Sequence, residues 1–252
     1  MDDENDSDWF GRLRLAAMFL TRLPVSGPDG MALARATPLF PVVGAGVGLV
    51  AGLAFCFAAW LGVGPWLGAV AAVLAGVVAT GALHEDGLAD VADGFGVHGE
   101  RQRRLDVMRD SRIGAFGVIA LVLALAAKIG ALAALGQPEL VVVALVSSAA
   151  LSRAFVVVAM RMMPSARDDG LGAGAGAPRF EEALIALAVG GAIALALTLS
   201  WSWLVVVLAG ATAALIMAWR TMRAFGGQTG DVLGAIVLVS DIAMLAAFVA
   251  FT

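Results

Sequence analysis

Long apolar stretches, separated by short polar connections, run through almost the whole chain. Seven of them have about the length that a helix needs to cross a lipid bilayer, roughly 20 mostly apolar residues. They cover residues 39–60, 66–83, 113–135, 140–160, 183–199, 203–219 and 232–251. The pattern predicts an all-α fold, a polytopic transmembrane bundle of about seven helices.

The chain begins with a polar tail and a mixed segment. Residues 1–8 carry five acids, where a secretory signal would carry positive charge, so we expect an acidic disordered tail. Residues 9–23 mix apolar side chains with arginines and are followed by Pro24 and Pro28, which is typical of an N-terminal amphipathic helix at a membrane interface. Residues 9–252 are therefore expected to form a single membrane-embedded domain.

Small residues repeat along the first apolar stretch, at Gly44, Gly46, Gly48 and Gly52. Such residues let two helices approach closely in lipid, so this stripe predicts close helix packing. A bend of the helix at these glycines is the alternative.

The arginines give the predicted bundle an orientation. Every arginine outside the seven stretches falls in the N-terminal segment or in alternate connections, all of which lie on one side of the membrane. Basic residues mark the cytoplasmic side, so the N-terminus is expected inside and the C-terminus outside a bacterial cytoplasmic (inner) membrane. Because the polar residues collect on that side, an enzyme working at one surface is favoured over a channel or two-gated transporter.

Composition removes several other classes of protein. The chain is 61% apolar and 14% charged, against about half and about a quarter in soluble domains, which excludes a disordered chain. Its single cysteine, Cys56, excludes a disulfide scaffold. A net charge of −4 without a large basic tract gives no support for binding nucleic acid.

The clearest candidate chemistry follows the second apolar stretch. Asp86, Asp90 and Asp93 are spaced so that a helix would place them on one face. Clustered carboxylates repel each other unless a cation lies among them, and oxygen ligands suit Mg²⁺ bound to a substrate phosphate. A solvated acidic loop is the alternative. His84 is a candidate ligand, acid–base group or helix cap, and its spacing does not choose among them.

A second polar cluster leads into the third stretch. Asp106 and Asp110 alternate there with Arg109 and Arg112, as a diphosphate site requires, with acids for the metal and guanidiniums for phosphate oxygens. Ser111 stands where a helix begins, a position at which backbone N–H groups bind anions. Surface ion pairs are the alternative.

Two glycine-rich segments lie on the same side. Gly227 and Thr229 would let the backbone approach a ligand, and Asp231 follows either as a functional carboxylate or as the cap of the last helix. Residues 167–176 form a second such segment, which is a lid, a nucleotide-binding loop or a plain linker.

Three ionisable residues stand inside predicted spans: Lys128, Arg153 and Asp241. Arg153 and Asp241 have similar predicted depths, so an ion pair between them is one interpretation. A polar floor beneath a substrate cavity is the other, and Lys128 is either structural or in contact with substrate.

Taken in order, these motifs resemble the cobalamin synthase family, the adenosylcobinamide-GDP ribazoletransferases. The resemblance rests on residues 19–25, the entry 40–44, the runs 84–94 and 108–114, the pairs 127–128 and 152–153, and the segments 170–172 and 226–235. It extends from about Phe10 to the C-terminus, and the runs 84–94 and 108–114 are its most specific parts.

The resemblance implies a reaction, a cofactor and residue roles. Adenosylcobinamide-GDP and α-ribazole, or α-ribazole 5′-phosphate, would join by phosphoryl transfer with release of GMP and use of Mg²⁺. Asp86, Asp90, Asp93 and Asp110 would bind the metal. Asp231 would be either a further ligand or the base that orients the attacking hydroxyl, and His84 is the other candidate base. The implied substrate-binding residues are Arg109, Arg112, Ser111, Gly227, Thr229, Lys128 and Arg153. Membrane lipid surrounds such a domain, and a homo-oligomer and docking of other enzymes of the pathway stay open.

Rival functions differ in their motifs. A CDP-alcohol phosphotransferase also uses membrane aspartates, but an arginine would follow the run Asp86–Ala89, where this chain has Asp90. A prenyltransferase with acidic diphosphate motifs is another enzyme option. A secondary transporter with Arg153 and Asp241 on its ion path belongs to a different class, and the bare outer side and the lack of inverted repeats oppose it.

Overall fold

The structure, a computed structural model, describes residues 8–167, 176–198 and 202–251. Ten α-helices and one 3₁₀ helix, Leu33–Leu39, make up this part of the chain. The helices are α1 (Trp9–Leu20), α2 (Phe40–Trp60), α3 (Pro65–Thr80), α4 (Leu83–Gly96), α5 (Arg101–Val107), α6 (Ala115–Leu135), α7 (Pro138–Met162), α8 (Phe180–Thr198), α9 (Ser202–Phe225) and α10 (Gly230–Phe251). The predicted all-α polytopic bundle is confirmed.

Within the described residues, six helical segments are long and apolar enough to cross a membrane by themselves. The number is seven if α3 and α4, a bent pair, together form one span. Prediction and structure differ in this pair. The second apolar stretch was expected to continue to residue 83, but α3 ends at Thr80 and α4 leaves it at an angle of 89°. The charged α4 therefore turns across the end of the bundle.

Helices α7 and α10 lie at the centre of the bundle, and α6 is exposed along most of its length. Three of the four stripe glycines, Gly44, Gly48 and Gly52, face α7, and Gly44 and Gly48 leave no room for a Cβ atom against the carbonyl groups of Ala149 and Leu145. Gly46 is exposed on another face of α2. The contacts with α7 confirm the packing interpretation, and α2 runs without interruption through the stripe. Exposed apolar side chains, such as Phe57 of α2, cover the outer surface and suit a lipid environment.

The N-terminal helix packs on the end of the bundle that carries the polar motifs. Asp8 caps α1 by accepting a hydrogen bond from Gly11 N at 2.7 Å, so this residue belongs to the folded domain rather than to the expected tail. Residues 1–7 of that tail lie outside the described residues. Leu15 and Leu20 bury one face of the helix, and the rings of Phe19 and Phe40 stack 6.0 Å apart. These contacts fix α1 beside the start of α2.

Candidate active site

The break between α3 and α4 sets the direction of the acidic helix. Gly81 and Ala82 both adopt left-handed backbone conformations, with φ values of 65° and 59°. Their N–H groups bond the last carbonyl groups of α3, at 3.3 Å to Val78 O and 2.9 Å to Val77 O. The turn therefore ends α3 with its backbone satisfied and starts α4 in a new direction.

Helix α4 crosses the first turns of α10 at backbone contact distance. A Cβ atom on Gly87 would come within 2.7 Å of Asp231 O, and one on Gly234 within 3.1 Å of Leu83 O. Two glycines on facing helices thus make the crossing this close. As a result, the carboxylates of α4 approach that of Asp231.

Three carboxylates from two helices form the centre of the site. Asp90 is half-buried, and its charge interacts with those of Asp231, Asp86 and Asp93. Asp231 interacts with Asp86 as well. We call Asp86, Asp90 and Asp231 the carboxylate cluster. Mutual repulsion within it favours a bound cation.

Asp231 is not the cap of α10, which was the alternative to a functional role. Thr229 caps α10, because its Oγ1 accepts a hydrogen bond from Val232 N at 3.2 Å. The same hydroxyl donates to Asp231 Oδ2 at 3.2 Å, and Arg167 Nη1 lies 3.9 Å from that oxygen. Asp231 therefore presents its carboxylate to the site while Thr229 supports it. Arg167 was not predicted as a site residue.

Asp93 and Asp110, two of the predicted metal ligands, make other contacts. Asp93 is buried and accepts hydrogen bonds from Gly114 N at 2.7 Å and Gly117 N at 2.8 Å, so it holds the start of α6 against α4. Asp110 is exposed and pairs with Arg112 at 2.7 Å. Hydrogen bonds from Arg112 lower the pKa of the Asp110 carboxyl to about 2.

Arg112 and Ser111 are both exposed on the connection between α5 and α6. Gly227 lies in a backbone contact of its own, because its position leaves no room for a Cβ atom against Pro164 O. The adjacent Gln228 exchanges backbone hydrogen bonds of 2.8 Å with Pro164 O and Ala166 N. Gly227 thus joins the end of α7 to the start of α10.

A polar cleft opens beside the carboxylate cluster. It has a volume of about 740 Å³, and its lining includes the three guanidinium side chains of Arg101, Arg109 and Arg167. Arg101 Nη2 donates to Ala166 O and Arg167 Nη2 donates to Leu105 O, both at 2.7 Å. We call it the arginine cleft. Three arginines in one polar cleft suit a phosphate-bearing ligand.

Of these arginines, only Arg109 was predicted to bind substrate. Arg167 is the first residue of the second glycine-rich segment, but it was not itself named as a substrate-binding residue. Its place in the site results from the contact between residues 164–166 and 226–228. Arg101 counted in the sequence only among the arginines that give the bundle its orientation.

A second cavity has Asp231 in its wall. It has a volume of about 200 Å³, and Asp231, Asp86 and His84 contribute to its wall. The rest of the wall is mainly apolar and includes Phe19, Leu20, Phe40, Val156, Met160 and Val237. We call it the apolar cavity.

A buried polar chamber lies deeper between the helices. It measures about 30 Å³, and its lining includes Lys128, Arg153, Asp241, Glu85 and His84. Lys128 Nζ, not Arg153, pairs with Asp241, at 2.6 Å. Arg153 instead donates to Ser152 Oγ at 3.2 Å, so an ion pair of Arg153 with Asp241 is not what the structure holds.

The carboxylate cluster alone does not form a complete set of metal ligands. In the described part of the chain, no group of three or more His, Cys, Asp or Glu side chains has the geometry to hold a metal ion. Mg²⁺ usually binds proteins through one or two carboxylates together with water and substrate phosphates. Clustered carboxylates beside an arginine-lined cleft therefore fit Mg²⁺ that arrives with a diphosphate. Residues 168–175, most of the glycine-rich segment discussed as a lid or linker, lie outside the described residues.

Comparison with known proteins gives one consistent family. The cobalamin-5-phosphate synthase family matches residues 12–249. A protein of Bradyrhizobium diazoefficiens named adenosylcobinamide-GDP ribazoletransferase is 46% identical over 243 residues, covering 95% of this chain and 93% of the relative.

Proteins of the same name from Mesorhizobium japonicum and Azorhizobium caulinodans are 46% and 38% identical, and each covers more than nine-tenths of this chain. No solved structure matches this sequence. A family match that spans almost the whole chain, together with these relatives, establishes that the chain belongs to the cobalamin-5-phosphate synthase family.

Proposed function

We propose that this chain joins adenosylcobinamide-GDP to α-ribazole, or to α-ribazole 5′-phosphate, with release of GMP. The products are adenosylcobalamin and its 5′-phosphate, respectively. The relatives' name supports the two substrate classes. The observation that carries the proposal is the position of Asp231, which lines the apolar cavity and lies 3.9 Å from Arg167 of the arginine cleft. One carboxylate cluster thus stands between a site suited to phosphates and a site suited to an apolar group.

The arginine cleft takes the diphosphate in this proposal. Arg101, Arg109 and Arg167 supply guanidinium groups, which bind phosphate oxygens through paired N–H donors. When the diphosphate bond breaks, negative charge grows on the departing GMP, and fixed cations stabilise that charge. Catalysis of phosphoryl transfer consists mostly of such positioning and charge stabilisation.

Mg²⁺ is the cofactor in the proposal, and Asp86 and Asp90 are the residues that would hold it. It would neutralise the diphosphate and stabilise charge that develops on the phosphorus oxygens. Asp231 supports this pair from the facing helix. Asp93 is not part of this metal site in the proposal, because both of its oxygens already accept backbone hydrogen bonds at the start of α6.

The bond changes follow from the two substrates. A ribose hydroxyl of the acceptor attacks the phosphorus on the cobinamide side, and a new P–O bond forms. The P–O bond to GMP breaks, and its electron pair leaves with GMP. The hydroxyl proton passes to a carboxylate of the cluster. Asp231 is our candidate for this proton acceptor, because it belongs to the apolar cavity that would hold the acceptor; His84, on the same wall, is the second.

The orientation in the membrane completes the proposal. The connections that carry the arginines would face the cytoplasm, and a bacterial cytoplasmic membrane would hold the bundle. The active site would then face the cytoplasm.

The deciding experiment measures GMP release from adenosylcobinamide-GDP by purified protein in detergent. Wild-type protein is assayed with and without α-ribazole, and with Mg²⁺ or EDTA. Release that requires both α-ribazole and Mg²⁺ is the expected result. GMP release without α-ribazole would indicate a hydrolase, and absence of release by folded protein with any divalent metal would refute the transferase.

A further inference from the structure

The apolar cavity has a composition unlike that of the rest of the site. Its wall combines the aromatic side chains of Phe19 and Phe40 with aliphatic side chains from α7 and α10. The two rings stack at 6.0 Å with an angle of 15° between their planes. Polar side chains contribute to this wall only at His84, Asp86 and Asp231 among the residues that line it. A ligand there must be apolar over most of its surface and polar where it meets the carboxylates.

The size of the cavity limits the ligand further. Pockets for drug-sized ligands measure roughly 300–1,000 Å³, and this one measures about 200 Å³. A two-ring aromatic group fits such a volume, whereas a corrin macrocycle with its side chains does not. Both proposed substrates carry a two-ring base on a ribose, but guanine and adenine have several polar atoms that an apolar wall would leave without hydrogen bonds. The benzimidazole-type base of α-ribazole has few such atoms and fits this wall better.

The location of the carboxylates fits the same ligand. If an aromatic base occupies the apolar end, the ribose attached to it reaches the wall formed by Asp86, Asp231 and His84. A ribose hydroxyl then lies at the carboxylate cluster, where Asp231 is 3.9 Å from Arg167 of the arginine cleft. Burial of the base would therefore position the attacking hydroxyl.

We infer that the apolar cavity binds the aromatic base of the nucleoside acceptor and determines which bases the enzyme accepts. The inference rests on the proposed function. The cavity volume sets an upper limit on the base, and the apolar wall selects flat bases with few polar atoms, since a buried polar atom without a hydrogen bond costs binding energy. Val156 and Met160 of α7 are the residues that set the depth of the cavity in this inference.

The first test reduces the cavity with Val156→Phe. Val156 is 4% exposed and borders the cavity, so a larger side chain enters space that the base would use. We expect the KM for α-ribazole to rise at least tenfold, while the KM for adenosylcobinamide-GDP changes less than twofold. Val118→Phe on α6 is the matched control, because Val118 is 45% exposed and should leave both constants unchanged.

Binding without turnover gives an independent readout. Labelled α-ribazole is titrated into protein in lipid nanodiscs, without adenosylcobinamide-GDP and without Mg²⁺. Wild type and Val118→Phe should bind equally, and Val156→Phe should bind at least tenfold more weakly. Equal binding by all three proteins would overturn the inference.

The second variant, Met160→Ala, enlarges the cavity and remains useful if Val156→Phe does not fold. It should raise kcat/KM for a nucleoside with a three-ring base relative to that for α-ribazole. An unchanged ratio would overturn the inference, as would a rise in the KM for adenosylcobinamide-GDP alone, which would assign the cavity to the other substrate. Failure of wild-type protein to release GMP would instead refute the proposed function.

Discussion

Gly87 of α4 faces the backbone of Asp231 in α10 so closely that a Cβ atom at position 87 would come within 2.7 Å of Asp231 O. The contact joins the helix that carries Asp86 and Asp90 to the helix that carries Asp231. The geometry of the carboxylate cluster therefore depends on Gly87, whose lack of a side chain lets the two helices approach.

Gly87→Ala tests this dependence. The added methyl group meets backbone rather than a flexible side chain, so the helices must separate, and we expect kcat to fall at least tenfold with a lower melting temperature. Gly46→Ala is the matched control, since a Cβ atom there meets no heavy atom within 4 Å and alanine favours a helix. Equal activity of Gly87→Ala and wild type would contradict the role of the crossing.

Much of the fold could be predicted from the pattern of apolar residues. The spans after residue 113 follow directly from length and hydropathy, and the stripe containing Gly44 and Gly48 correctly indicated a close helix contact. The end of α3 was missed because Gly81 and Ala82 interrupt an apolar run without a proline or a charge. Gly81 ends the helix in the left-handed conformation that glycine adopts readily, and one glycine inside an apolar run does not by itself mark such an end.

The sequence predicted which motifs form the site, but not which groups their side chains contact. Helical spacing put Asp86, Asp90 and Asp93 on one face, yet spacing alone does not show that Asp93 faces the backbone of Gly114 and Gly117. The contribution of Arg167 depends on a contact between residues distant in sequence, the parallel bridge Ser165–Gln228. Only tertiary structure supplies such information.

Asp93→Ala should reduce stability more than the other acid substitutions near the site. The substitution leaves two backbone N–H groups at the start of α6 without acceptors, and each such buried donor costs about 1–3 kcal/mol. Thermal unfolding in detergent measures the loss. Asp110→Ala is the control, since that exposed carboxylate pairs with Arg112 and should change the melting temperature little. Equal melting temperatures for the two variants would contradict the role assigned to Asp93.

The ion pair of Lys128 and Asp241 should be needed for stability rather than for chemistry. Lys128→Met leaves a carboxylate that is only 4% exposed without its cation, and breaking a buried pair in this way costs about 3–5 kcal/mol in soluble proteins. The double variant Lys128→Met with Asp241→Leu should recover part of the melting temperature, because it removes both charges of the pair but leaves the buried Arg153 without the Asp241 carboxylate. If the double variant is no more stable than Lys128→Met, the pair is not the source of the effect.

Arg167→Gln should weaken binding of the diphosphate substrate. The variant removes one of three guanidinium groups from the arginine cleft, and we expect the KM for adenosylcobinamide-GDP to rise about tenfold, with a smaller change in the KM for α-ribazole. Arg112→Gln is the matched control, because Arg112 pairs with Asp110 on the surface. A larger effect of Arg112→Gln would place the phosphates on the connection before α6 instead.

Asp90→Asn should abolish turnover while the protein still inserts and folds. Asparagine keeps the shape of the side chain but removes one of the charges that would hold Mg²⁺, so we expect kcat to fall by about 10²–10³-fold, as for loss of a group that stabilises a transition state. Asp106→Asn is the control, because Asp106 is an exposed acid of α5 whose carboxylate accepts a hydrogen bond from Gln102. Binding of Mn²⁺ in the presence of adenosylcobinamide-GDP, measured by electron paramagnetic resonance, separates loss of metal from loss of chemistry. Unimpaired turnover by Asp90→Asn would remove Asp90 from the metal site, and weaker Mn²⁺ binding in Asp90→Asn than in Asp106→Asn would confirm its place there.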